Sequence, residues 1–265
     1  MDISAIMYPI LSIGGMGLLF GVGLGIAAKK FAVPVDERVE NVKENLPGAN
    51  CGGCGFAGCE ALAKSIASGE SKITACPVCN QSQIDAIAKV MGVEASTTEK
   101  CRAVVRCQGT HANAKSKYEY VGLQSCRDAN LVGGGHKVCQ YGCLGFGECK
   151  TACAFGAITM ENGLPIINPK KCVGCGACKN VCPRSIITIL PITASYQVHC
   201  VSKDKGKEVK VGCDVGCIGC GICAKQCAVG AITITNNLAE IDPEKCVHCG
   251  KCESKCPTNA ILNLL

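Results

Sequence analysis

The sequence predicts an α+β chain: one long apolar helix at the N-terminus, then a string of small modules organised around cysteines rather than around one large apolar core. Three observations predict it. Residues Ala5 to Ala28 carry no charge. Cysteine accounts for 26 of the 265 residues, and twenty of these fall into five sets of four. The C-terminal half repeats itself with a period of 74 residues.

The apolar run comes first. At 1.5 Å per residue, twenty-four helical residues span about 36 Å, more than the ~30 Å hydrocarbon core of a bilayer. A cleaved leader would carry Lys or Arg ahead of the apolar run. Here only Asp2 precedes it, and Lys29 and Lys30 follow. That asymmetry predicts an uncleaved single-pass anchor over residues 1–29 in the plasma (inner) membrane, with the N-terminus outside and the body in the cytoplasm. Gly17, Gly21 and Gly25 form one small-residue stripe. Such a stripe lets a neighbouring helix approach closely, although glycine is common in membrane helices anyway.

Pro34 is expected to end the anchor region. Val35, Val39, Val42 and Leu46 then recur at helical spacing between charged residues and stop at Pro47-Gly48, predicting a short amphipathic linker helix. Cys51-Gly-Gly-Cys54-Gly-Phe-Ala-Gly-Cys59 follows, with Cys76 seventeen residues on. The four glycines allow tight turns and leave bare amides that can donate to sulfur. Glu60 to Ser68 reads as a helix that brings Cys76 back to the other three. Residues 30–95 are therefore expected to form one small domain around one four-cysteine set.

Residues 96–138 are polar and weakly patterned, and read as a connecting segment with a Gly133-Gly134-Gly135 loop. A phosphate-cradling role is excluded for that loop, because no strand precedes it and no Lys-Ser/Thr follows. The segment holds Cys101, Cys107 and Cys126, read as buried or free thiols, with a further metal site as the alternative.

The clearest motif is Cys246-Val-His-Cys249-Gly-Lys-Cys252-Glu-Ser-Lys-Cys256-Pro257, a C-x2-C-x2-C-x3-C-P run. Cys172, Cys175, Cys178 and Cys182, followed by Pro183, repeat it. Cys217, Cys220, Cys223 and Cys227 repeat it without the proline. The 74-residue period maps Cys139, Cys143, Cys149 and Cys153 onto Cys213, Cys217, Cys223 and Cys227. Hairpins over Ile158 to Ile167 and Ile232 to Ile241 are expected to turn at Asn162-Gly163 and Asn236-Asn237.

Soft thiolates at this spacing select iron–sulfur clusters, the carriers of single electrons. Zinc also uses C-x2-C pairs, but usually two pairs separated by a longer loop. Each repeat is thus expected to be a two-cluster ferredoxin-like module, at residues 139–190 and 191–265, the second with an insert at its start. The fold class becomes α+β: a transmembrane helix, a one-cluster domain and two tandem two-cluster modules.

In such modules the fourth cysteine of a run ligates the other cluster. Cys172, Cys175 and Cys178 are therefore expected with Cys153; Cys246, Cys249 and Cys252 with Cys227; and Cys217, Cys220 and Cys223 with Cys256. The remaining set is irregular, because Phe146 stands where the later repeat has Cys220. The simplest completion is Cys139, giving Cys139, Cys143, Cys149 and Cys182 and leaving Cys213 surplus. Use of Cys213 in place of Cys220 is the alternative. Cys79 and Cys200 fall in no evident set. The expectation is five [4Fe-4S] clusters, with a sixth if Cys101, Cys107 and Cys126 help to hold one.

The formal charge of +6 treats every cysteine as neutral. An oxidised [4Fe-4S] cluster on four thiolates carries about −2, so five clusters bring the balance to about −4. A nucleic-acid role argued from a basic chain is excluded on that ground, and the chain has no Trp and only five Phe and five Tyr. The soluble part offers no glycine-rich strand-to-helix turn for a dinucleotide and no nucleophile–base pairing. No catalytic residue is expected on this chain.

The order of an N-terminal anchor, Cys51-Gly-Gly-Cys54-Gly-Phe-Ala-Gly-Cys59 directly after it, Cys76, and then ferredoxin modules resembles the B subunit of Rnf complexes over nearly the whole chain. The resemblance implies an electron-transfer subunit of a membrane-bound ferredoxin:NAD oxidoreductase coupled to Na⁺ or H⁺ translocation. Its partners would be reduced ferredoxin and the membrane and flavin-bearing subunits. Shorter family members carry one ferredoxin module where this chain has two, and Phe146 departs from the simple pattern. A membrane-tethered polyferredoxin serving another oxidoreductase and a redox-sensing binding protein are the competing readings.

Overall fold

The computed structural model describes residues 3–31 and 36–264. Helix α1 runs over Ile3–Lys30, and its described large apolar side chains, among them Leu11, Leu18, Phe20 and Leu24, are exposed. Among the described residues it is the one helix long and apolar enough to cross a membrane. Pro34 and Val35, read as the end of the anchor and the start of the next helix, lie outside the described residues.

Three helices make the first small unit. Helix α2, Glu37–Asn45, starts at Asp36, whose carboxylate accepts the Arg38 backbone N–H. Helix α3, Cys59–Ala67, begins at the third cysteine of the glycine-rich loop. Helix α4, Gln81–Met91, opens with a reciprocal Asn80–Gln83 cap and closes on left-handed Gly92. Val42, Leu62, Ile66 and Ile87 meet between them with at most 1% of their surface exposed. Each such side chain contributes about 1.5–3 kcal/mol by leaving water. Cys54, Cys59, Cys76 and Cys79 sit at the edge of that core.

The rest of the chain folds twice in the same way. In the first unit, strand β1 (Cys101–Val105) precedes helices α5 (Cys126–Leu131) and α6 (Glu148–Thr151). Strands β2 (Ile158–Glu161) and β3 (Leu164–Ile167), helix α7 (Ala177–Val181) and strand β4 (Ile187–Pro191) follow. The second unit runs through strand β5 (Tyr196–Val198) and helices α8 (Gly206–Gly212) and α9 (Ile222–Gln226). It ends with strands β6 (Ile232–Thr235) and β7 (Leu238–Ile241), helix α10 (Lys251–Ser254) and strand β8 (Ile261–Asn263).

Among the described residues, four two-stranded antiparallel sheets result: β1–β4, β2–β3, β5–β8 and β6–β7. The hairpins have the expected register, with Ile158 opposite Ile167 and Ile232 opposite Ile241. Asn162 and Gly163, and likewise Asn236 and Asn237, have φ between 48° and 77°. A two-residue turn that matches strand twist needs left-handed backbone at both positions.

The stretch 96–138, read from the sequence as a connector, contains β1, which pairs with β4 from Cys101↔Pro191 to Val105↔Ile187. Strand β5 does the same for the second unit, with Val198 opposite Ile261. The units are stitched together by Arg102, which donates to the Leu264 carbonyl at 2.8 Å and the Ala194 carbonyl at 2.9 Å. Their cores are small and partly made of sulfur. Cys143, Cys149 and Cys178 pack with Val105, Ile158 and Ile187 in the first, and Cys217, Cys223 and Cys252 with Val198, Ile232 and Ile261 in the second.

Candidate metal centres

Each run fixes three sulfurs locally. The short helix after the second cysteine turns the third inward, and Cys149, Cys178, Cys223 and Cys252 are all buried on such one-turn helices. The fourth sulfur comes from elsewhere. Cys153 joins Cys172, Cys175 and Cys178 around one cavity. Cys256 joins Cys217, Cys220 and Cys223 around another. Cys227 and Cys246 pack into the same core as Cys252, whose thiol also feels Cys246 and Cys249. Backbone N–H groups four residues on donate to the returning sulfurs: Ala157 to Cys153 at 3.4 Å, Ala231 to Cys227 at 3.2 Å and Ala260 to Cys256 at 3.3 Å.

The irregular set differs from the expected one. Cys143, Cys149 and Cys182 line a cavity with Cys126, not with Cys139. The physical reason is the insert between Cys107 and Cys139, which is 19 residues longer than its counterpart between Cys200 and Cys213. It folds back through α5, held by Glu148 Oε1, which accepts the Ser125 hydroxyl at 2.6 Å and the Arg127 N–H at 3.2 Å. Phe146, standing where the other unit has Cys220, packs edge-on against Tyr120 and His136. The fourth sulfur at this cavity thus comes from the insert. Cys139 lies instead with Cys107, Cys200 and Cys213. Cys220 is with Cys217, and Cys213 does not take its place.

In the first small unit, Cys54, Cys59 and Cys76 lie close to Cys79. The Asn50 side chain accepts the Cys59 N–H at 2.8 Å and so ties the two ends of the glycine loop together. The Cys79 thiol donates to Cys76, which draws Cys76 down to about 6 and pushes Cys79 up. Cys76 is therefore the better thiolate of the pair, and Cys79 its S–H donor. Gly53 packs directly on the Cys175 carbonyl, where a Cβ would collide. Cys175 is pushed up mainly by burial, with Cys51 contributing across this contact. The first unit therefore touches the Cys153–Cys178 set.

Four-thiol donor sets of this kind suit iron–sulfur chemistry. One zinc would draw four sulfurs to about 2.3 Å from a common point. Among the described residues, no three His, Cys, Asp or Glu side chains converge that tightly. None of the 26 cysteines is paired in a disulfide. Burial pushes Cys143 and Cys178 up to about 12, and Cys149 and Cys223 to about 11. Such sulfurs ionise only against a positive partner, and coordinated iron supplies one. Thiol donors, N–H groups aimed at sulfur and a shaped cavity together fit [4Fe-4S] ligation.

Family comparisons agree on this chemistry. A model for an Fe-S cluster (FeS) matches residues 46–78, a 4Fe-4S binding domain matches 165–188 and a 4Fe-4S dicluster domain matches 216–260. Whole-chain relatives go further. The B subunit of the Na(+)-translocating ferredoxin:NAD(+) oxidoreductase complex of Acetobacterium woodii is 48% identical over 98% of this chain and 78% of its own length. The B subunit of the ion-translocating oxidoreductase complex of Methanosarcina acetivorans is 43% identical over 97% and 98%. The chain belongs to the family of Rnf B subunits. A third member, the B subunit of the proton-translocating ferredoxin:NAD(+) oxidoreductase complex of Clostridium ljungdahlii, is 46% identical over 87% of this chain and 82% of its own. As an Rnf B subunit, this protein is an iron–sulfur electron-transfer component of a multi-subunit, membrane-associated oxidoreductase.

Proposed function

We propose that the chain is a single-pass membrane subunit that takes electrons from reduced ferredoxin at its C-terminal end. It delivers them at the Cys51–Cys76 set to flavin-bearing and other membrane subunits, for reduction of NAD⁺ coupled to Na⁺ or H⁺ translocation. The ligand sets are Cys51, Cys54, Cys59 and Cys76; Cys153, Cys172, Cys175 and Cys178; Cys126, Cys143, Cys149 and Cys182; Cys217, Cys220, Cys223 and Cys256; and Cys227, Cys246, Cys249 and Cys252. The two repeated folds act as two-cluster modules. Bound [4Fe-4S] clusters each accept and release one electron. The chain's own part is to hold neighbouring sites close and keep water from them.

One observation carries this reading: the Gly53–Cys175 packing, which joins the anchored N-terminal unit to the modules behind it. Lys29 and Lys30 at the inner end of α1 support a cytoplasmic body. The relatives' names support ferredoxin and NAD⁺ as the terminal reactants, and they differ on the ion, Na⁺ in one and H⁺ in another.

The test uses the intact complex with Cys54→Ala in this chain. Reduced ferredoxin should still bleach the C-terminal sites, while NAD⁺ reduction should be lost. NAD⁺ reduction at the wild-type rate would rule out the route through the N-terminal set.

A further inference from the structure

Once those five sets are drawn, Cys79, Cys101, Cys107, Cys139, Cys200 and Cys213 remain. Four of the six line one cavity between the two modules. We propose that Cys107, Cys139, Cys200 and Cys213 hold a sixth [4Fe-4S] cluster, the bridge that makes one continuous relay of the two modules. This rests on the electron-relay reading above and adds to it a site that no family match covers.

The cavity is built by the repeat itself. Val105 pairs with Ile187, and Val198 with Ile261. Cys107 and Cys200 each lie two residues beyond those strand ends. Cys139 and Cys213 each lie four residues before the first ligand of their own module. Each module thus contributes one equivalent pair, and the pairs face each other.

The surroundings match as closely. The N–H two residues on donates to each strand-end sulfur, Gly109 to Cys107 at 3.4 Å and Ser202 to Cys200 at 3.5 Å. The Cys143 N–H donates to Cys107, and the Cys217 N–H to Cys200. The Tyr141 and Val215 N–H groups do the same for Cys139 and Cys213. Six amides thus point at four sulfurs, the pattern that favours a thiolate-bound anionic centre. Charges of both signs lie near the sulfurs: Arg106, itself paired with Glu240 at 3.7 Å, lines the cavity with Asp204 and Glu208, and buried Lys137 donates to the Gly109 carbonyl at 2.6 Å.

Position gives the site its role. On one side the Cys143 N–H, from the Cys126–Cys182 set, reaches Cys107. On the other the Cys217 N–H, from the Cys217–Cys256 set, reaches Cys200. A redox-active centre here connects the modules, whereas a zinc ion would interrupt them. Tight convergence on a single ion is absent among the described residues. Cys101 and Cys79 are not in this cavity, which separates ligands from bystanders.

The experiment is iron, acid-labile sulfide and zinc analysis of the anaerobically prepared full chain, with EPR after dithionite reduction. About twenty-four iron and twenty-four sulfide are expected, four for each of six sites. Cys107→Ser and Cys213→Ser should each lose about four iron, or one iron with a new three-iron EPR signal. Cys101→Ser should lose none. If Cys107→Ser misfolds, the wild-type count and Cys213→Ser still decide. About twenty iron, unchanged in both variants, would overturn the sixth site while leaving the relay reading intact. Zinc in place of iron throughout would overturn both.

Discussion

The Cys143 backbone N–H donates to the Cys107 sulfur at 3.4 Å, so the main chain of one four-cysteine set is bonded to a sulfur of the next. The same link recurs between Cys217 and Cys200. Gly53 against Cys175 and α9 packed on α10 add two further contacts between neighbouring sets. Hydrogen bonds to cluster sulfurs and the closeness of neighbouring charge are the protein's main levers on potential. In this chain a single amide can act on two sites.

Gly53→Ala tests the first link. The added Cβ would strike the Cys175 carbonyl, and relief requires the N-terminal unit to shift, at a cost of about 1–3 kcal/mol. Iron content should be unchanged. The magnetic interaction between the two reduced centres should weaken, and NAD⁺ reduction by the complex should slow. Wild-type values of both would mean that this contact is not the route.

Cys126→Ser tests the ligand that the insert supplies. The variant should lose about four iron, or one iron with a three-iron signal, from the first module. Cys139→Ser should leave that centre's spectrum in place. The reverse pattern would restore the assignment expected from spacing alone.

Much of the molecule could be read from the sequence, and the misses share one cause. A C-x2-C-x2-C run sets three sulfurs by the backbone geometry of one loop, so Cys172–Cys178 and Cys246–Cys252 announce themselves. The hairpins turn where Asn162-Gly163 and Asn236-Asn237 say they should. Strand β1 was hidden because its five residues are nearly all buried and so do not alternate. The Cys107–Cys213 cavity draws on four separate segments, and no local spacing marks it. Its signal is indirect: Cys213 recurs across the repeat with no local task. The Cys126 site has a separate signal, because Cys126 lies in the insert of the unit that carries Phe146 in place of a ligand.

Lys137→Met tests the charge near the bridge. Lys137 is 2% exposed, its ammonium donates to the Gly109 carbonyl, and its charge favours the thiolate form of Cys143. Without it, adding an electron to an already anionic centre becomes harder. The potentials of the Cys143 and Cys107 centres should fall, and the protein should lose about 1–3 kcal/mol through the unpaired carbonyl. A potential that stayed put or rose in a redox titration would contradict this.

Removing iron tests how far the metal sustains the fold. Cys143, Cys149 and Cys178 lie inside one core and Cys217, Cys223 and Cys252 inside the other, among few large apolar side chains. The one-turn helices that carry them are too short to persist alone. Anaerobic chelation should therefore abolish tertiary structure in both modules, read as loss of dispersed NMR signals and of a cooperative melt. A folded iron-free body would show that the strands suffice.

The C-terminal end of the relay should be where the soluble donor docks. Cys249 is exposed, and so are Lys245, Lys251 and Lys255 around it. Lys245 is partly committed to Asp242 at 3.5 Å, and Glu244 and Glu253 lie near, so Lys251 and Lys255 are the freer charges. A ferredoxin carries about −2 on each oxidised cluster and still more when reduced, so these lysines would steer its approach. Steering of this kind changes association rates by tenfold or more and fades as salt shortens the Debye length. Lys251→Glu with Lys255→Glu should slow reduction by ferredoxin about tenfold at low ionic strength, with the deficit shrinking towards 1 M salt. Reduction by dithionite should be unaffected, because a small reductant needs no docking surface. A salt-independent deficit would indicate damage to the Cys246–Cys252 site instead, and no deficit at any salt would move the docking surface elsewhere.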